Sequence, residues 1–223
     1  MMMNRDCHKS AFTLIELLVV ISIILIATSV LFIAGGGGGD GVKLSSSQRI
    51  VSSIAQGARG QAILKNAKTR LIIYSDSQSN EDDEKKLRYF GIVYADPNDP
   101  NQTSPTSWIA STQGTYLPEG IYFNEELGSN VPSSTMSLEY PRISAQAEGS
   151  GEEFHYYEFN RNGTMATGYE NSWLALQVGT LRPGSSDALE VDFSEVKNEA
   201  LKAALIFRRV GTTTMVTDPA EIN

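Results

Sequence analysis

The sequence predicts an α+β fold: an N-terminal transmembrane helix, a glycine break, and a second, amphipathic helix packed on an antiparallel β-sheet head. Three observations predict it. An apolar run fills positions 12–34 with one charge in it, Glu16. Five consecutive glycines, Gly35 to Gly39, then Asp40 and Gly41, follow it at once. Beyond Thr69 the helical spacing gives way to short β-branched and aromatic segments between polar turns. The expected divisions are a leader at 1–11, the membrane helix at 12–34, a glycine-rich hinge at 35–43 and the head at 44–223.

The apolar run reads FTLIELLVVISIILIATSVLFIA. At ~1.5 Å rise per residue it spans roughly 34 Å as a helix, against a hydrocarbon core of about 30 Å. The leader MMMNRDCHKSA carries Arg5 and Lys9 against Asp6. A positive flank stays on the cytoplasmic side, so everything past Ala34 is expected to be exported. A secretory signal has an apolar core of only about 7–15 residues and then a small-x-small cleavage site. A plain anchor explains the length but not Glu16, since an acidic residue at a helix centre costs roughly 2.5–3.5 kcal/mol, less near the end. A carboxylate near the end of an apolar helix invites a cation, and an α-amine freed by cleavage just upstream is one.

The stretch Ala11-Phe12-Thr13-Leu14-Ile15-Glu16-Leu17-Leu18-Val19-Val20-Ile21 resembles the N-terminal signature of type IV pilins and type II secretion pseudopilins. The resemblance implies cleavage between Ala11 and Phe12 by a prepilin peptidase, N-methylation of Phe12, and a role in assembly for Glu16. It also implies a pilin-like head. The implied partners are other pilins or pseudopilins, the peptidase, an inner-membrane assembly platform and membrane lipid. The family usually has Gly before the cut; here Ala11, the next smallest residue, stands there.

The five glycines are read as a break, because each costs a helix roughly 1 kcal/mol relative to Ala. The next helix is expected to be capped by Ser45, Ser46 or Ser47, with Ile50, Val51, Ile54, Ala58 and Ala62 on its buried face. Many of these are small, so the helix can lie close to a sheet. Strands are expected at 71–74, 89–94, 120–123, 153–159, 173–178, 205–210 and 213–217. A short helix is expected near Ser194 to Ala204. Ala58-Arg59 with Ala62-Ile63 is similar to the helix of H-type minor pseudopilins. So, in order along the chain, are Leu117 to Ile121, Tyr157 to Gly163, and Leu205 to Phe207 running into Gly211. Arg59 is read as having a structural partner.

Chemistry-bearing residues are sparse. Net charge is −8, so sequence-independent nucleic-acid binding is not expected. Cys7 is the single cysteine; it precedes the apolar run, whereas a lipoprotein signal places its cysteine after it. His155 reads as a half-buried strand residue sharing a face with Tyr157 and Phe159. The acids Glu81 to Glu84 read as a solvated loop. Asp96-Pro97-Asn98-Asp99-Pro100-Asn101 is oxygen-rich but lacks the Gly and distal Glu of an EF-hand loop. No cofactor, metal site or catalytic residue is expected. The function expected is a minor pseudopilin of a type II secretion filament. The alternatives are a minor type IV pilus or lineage-specific subunit, or a membrane-anchored periplasmic binding module. An anchored hydrolase has no catalytic constellation behind it.

Overall fold

The computed structural model describes residues 14–76, 83–184 and 189–222, without the side chains of 25–38, 83 and 197. One helix, α1, runs from Leu14 to Lys65. The expected glycine break is therefore corrected: helical backbone continues through Gly35 to Gly39. Glycine is a poor helix former because of its entropy, yet it keeps its N–H and C=O, and each residue added to an existing helix adds a hydrogen bond without a second nucleation. The chain nevertheless divides into two compact units at this point, 1–39 and 40–223. Among the described residues, no helix is long and apolar enough to cross a membrane. The span expected at 12–34 lies partly outside the described residues. Ser45, Ser46 and Ser47 sit inside α1 rather than capping a new helix. Buried Ser47 instead satisfies its hydroxyl by donating to Lys43 O at 2.8 Å.

Among its described residues the second unit holds the last part of α1 and thirteen strands. They are β1 (Thr69–Tyr74), β2 (Tyr89–Ala95), β3 (Ser107–Ala110), β4 (Thr115–Tyr116), β5 (Ile121–Asn124), β6 (Thr135–Leu138) and β7 (Gln146–Ala147). There follow β8 (Glu152–Phe159), β9 (Ser172–Val178), β10 (Thr180–Pro183), β11 (Leu189–Asp192), β12 (Lys202–Phe207) and β13 (Thr213–Val216). A seven-stranded sheet has the order β6-β8-β1-β2-β3-β7, with β4 also on β2; a four-stranded sheet has the order β13-β12-β9-β5; β10 and β11 form a hairpin. Every pairing is antiparallel. All seven expected strands are present with shifted ends. The short helix expected at Ser194 to Ala204 is a single 3-10 turn, Val196–Asn198, before β12. Ala203 and Ala204 are strand residues there because their neighbours in β9 and β13 bury them.

Alternation along the strands explains the layers. In β1, Leu71 and Ile73 enter one cluster and Ile72 and Tyr74 enter another, so both faces of the large sheet are covered. In β12, Ala203, Leu205 and Phe207 face the first cluster while Ala204 and Ile206 face a third. The first cluster joins both sheets to α1 through Leu44, Val51, Ala55, Ala58 and Ala62. The expected helical stripe is thus the buried one, with Ile50 and Ile54 at its margin.

Polar contacts flank this stripe. Gln48 Nε2 donates to Ala204 O at 2.8 Å and Val216 O at 2.9 Å. One turn on, Ser52 Oγ meets Thr213 Oγ1 at 2.8 Å. Arg59 Nε then donates to Gly163 O at 3.2 Å. Gly211 (φ +79°) abuts the same carbonyl, and a Cβ there would collide with Gly163 O. The Arg59, Gly163 and Gly211 positions of three separate sequence segments therefore meet at one joint. Gly211→Ala is expected to destabilise the protein by about 3 kcal/mol, from left-handed strain plus a backbone clash. Gly60→Ala, on the exposed side of α1 with open space around it, is expected to stabilise by up to about 1 kcal/mol. Urea unfolding of the two variants checks the opposite signs.

Candidate functional site

The N-terminal site is built on the first turns of α1. Ala11 and Phe12, the expected cleavage and methylation positions, lie outside the described residues. Glu16 lies near the N-terminal end of the described part of α1. Around it, Leu14, Ile15, Leu17, Leu18, Val19, Val20, Ile21, Ile23 and Ile24 are all exposed. A helix that is apolar all round is stable only when lipid or other chains cover it. Ser22, polar within this run, donates to Leu18 O at 2.8 Å and so satisfies its hydroxyl within the helix. Among the described residues the arrangement is one carboxylate on an exposed apolar helix surface, which suits association.

The head places the other candidates. Arg59 has the structural partner expected of it, at the glycine joint. His155 is half-buried on β8, its Nε2 2.9 Å from Glu125 Oε1. Tyr157 and Phe159 face the first core cluster. Of the acidic run, Glu81 and Asp82 lie outside the described residues, and Glu84 is exposed. In the 96–101 segment, main-chain donors occupy the oxygens. Asp96 Oδ1 accepts from Asn98 N at 2.9 Å. Asp99 accepts from the amides of Asn101 and Thr106 at 2.8 Å each and of Ser107 at 2.9 Å. These bonds, Asn101's foremost and then Thr106's, hold the Asp99 carboxyl below its ordinary pKa.

Sequence reasoning missed a charge network under the large sheet. Arg70 and Glu158 are cross-strand partners of β1 and β8, and Arg70 Nε donates to Glu158 Oε2 at 2.9 Å. Lys68 Nζ holds the other oxygen of Glu158 at 2.7 Å. Arg70 Nη1 reaches Glu148 Oε2 at 3.1 Å. The guanidinium lies between the rings of Trp108 (3.9 Å) and Tyr156 (3.8 Å). A cation at alternate position in a strand, opposite an acid in a later one, is the only signal the sequence carried for it.

A family match covers residues 7–32: the prokaryotic N-terminal methylation motif. The chain carries this prepilin-type motif, consistent with the type IV pilin and pseudopilin family. The motif supports a membrane-anchored, pilin- or pseudopilin-type subunit that assembles with other pilins and meets a prepilin peptidase. No curated protein and no solved structure matches the chain.

Because the folded-state pKa of Asp99 is depressed, the loop stabilisation it gives is complete above the unfolded value of about 3.9 and is lost as pH falls through the lower folded value. The amide shifts of Thr106 and Ser107 are expected to titrate with a midpoint below about 3.9. A midpoint at or above that value contradicts the assignment.

Proposed function

We propose that the chain is a minor pseudopilin of a type II secretion filament, closest in kind to the H-type subunits. The observation that carries the reading is the methylation motif over residues 7–32, with Glu16 near the N-terminal end of the described part of an apolar helix. The α+β head supports it, as does the convergence of Arg59, Gly163 and Gly211, which belong to the short segments similar to that group. In this reading residues 1–11 are a cytoplasmic leader and 12–34 cross the inner membrane. The head is periplasmic, joined through the glycine-rich stretch 35–43. A prepilin peptidase cuts between Ala11 and Phe12 and methylates the new amine, and the assembly platform then draws the subunit out of the membrane.

Glu16 acts at that last step. A carboxylate in hydrocarbon is stabilised by a cation, and the amine of Phe12 on an adjoining subunit supplies one. The pair fixes the axial register of each subunit as it joins. Glu16→Ala leaves membrane insertion and cleavage intact, because the helix becomes more apolar and Glu16 lies beyond the cut. In cells, crosslinking to co-assembled pilin-type chains falls by about tenfold, as expected for loss of a charge-assisted contact of about 1.5 kcal/mol or more. Glu16→Gln keeps the size and loses the charge, and resembles Glu16→Ala. Wild-type crosslinking in both variants overturns the charge-pairing role.

A further inference from the structure

At the end of α1 the head carries a groove of about 500 Å³ lined by Lys68, Gln102, Thr103, Asn160, Arg161 and Asn162. No carboxylate lines it, although the chain as a whole is strongly acidic. The local charges can be followed one by one. Lys68 and Arg70 are matched by Glu158 and Glu148. Arg161 stands outside these pairings: among the described residues it forms no ion pair, and its Nε and Nη1 donate to no acceptor, while the Asp96 and Asp99 carboxylates of the loop behind it accept main-chain hydrogen bonds instead. The turn Arg208 to Gly211, which abuts Gly163, brings two further exposed arginines, Arg208 and Arg209, to the same end of the head.

Arg161 is held in place from behind. Its Nη2 donates to Gln102 O at 2.5 Å. The Gln102 side chain is tied down in turn, donating to Asp96 O and Asp99 O at 2.8 Å each. Asp99 is itself fixed by three main-chain amides. On the other wall, Asn162 Oδ1 accepts from Thr164 Oγ1 at 2.8 Å, which fixes its amide and leaves Nδ2 for a ligand. A guanidinium with unused donors, oriented before any ligand arrives, is the usual means of reading a carboxylate or phosphate.

We propose that this groove is an anion-binding site in which Arg161 takes the carboxylate or phosphate group of a small hydroxylated solute, with Asn162 and Thr103 meeting its hydroxyls. The proposal does not depend on how the N-terminal helix assembles.

The test is calorimetric titration of the full chain in neutral detergent with inorganic phosphate, glucose 6-phosphate, glucuronate and glucose. Saturable binding of phosphate and glucose 6-phosphate, or of glucuronate, is expected, and which of the two arms responds identifies the group. Glucose is expected not to bind. Arg161→Gln weakens binding by about tenfold or more, the loss expected for a charge-assisted contact. Arg161→Lys, which keeps the charge but loses the fork, falls between the two. Arg142→Gln, at an exposed arginine that pairs with Glu139 at 2.7 Å, leaves binding unchanged. Unaltered circular dichroism of the Arg161 variants excludes a folding defect. The proposal is overturned if no small anion binds, if Arg161→Gln binds as wild type, or if only a glutamate-rich peptide binds.

Discussion

The head rests on how closely α1 can approach two sheets at once. Val51, Ala55, Ala58 and Ala62 are fully buried, and three of the four are alanine. A larger side chain on that stripe would push the helix outward and open the core that both sheets share. The glycine joint enforces the same closeness from the sheet side. Gly163 presents its carbonyl to Arg59, and Gly211 packs on that carbonyl because it has no Cβ. Arg59 here serves packing: its aliphatic stem covers the glycines and its guanidinium satisfies a carbonyl. The polar line of Gln48, Ser52 and Arg59 then ties successive turns of the helix to β12, β13 and the following turn.

The far side of the large sheet works differently. Arg70 sits between two rings, with carboxylates at its edges, so a charge stands where an apolar residue would be simpler. Burying a cation is tolerable only when its donors are met, and Glu158 and Glu148 meet them. Because Lys68 and Arg70 share Glu158, Arg161 is left outside the pairings made under the sheet.

Much of this is legible in the sequence. Runs of β-branched and aromatic residues marked β1, β2, β5, β8, β9, β12 and β13 but not the four-residue β3, β6, β10 and β11, and helical spacing marked Val51, Ala58 and Ala62 as buried. Strands such as β4 and β7, two residues each, carry no alternation to read. The glycine run misled because propensity measures an isolated cost, while continuation of a formed helix adds a bond at every residue. In β12 the alanines suggested helix, and burial between two neighbouring strands decided otherwise. At the functional end, the motif and Glu16 were plain in the sequence. Arg161 was not, since its lack of an ion pair appears only when Lys68 and Arg70 are seen to share Glu158 of β8.

The central claim is that the apolar N-terminal segment is an assembly element exposed by processing, not a plain anchor or a discarded signal. N-terminal mass analysis of protein recovered from cells with an active prepilin peptidase tests it most directly. The account predicts a chain that begins at Phe12 and carries a methyl group on its amine. A chain that retains residues 1–11, or one that begins just beyond Ala34, would contradict it.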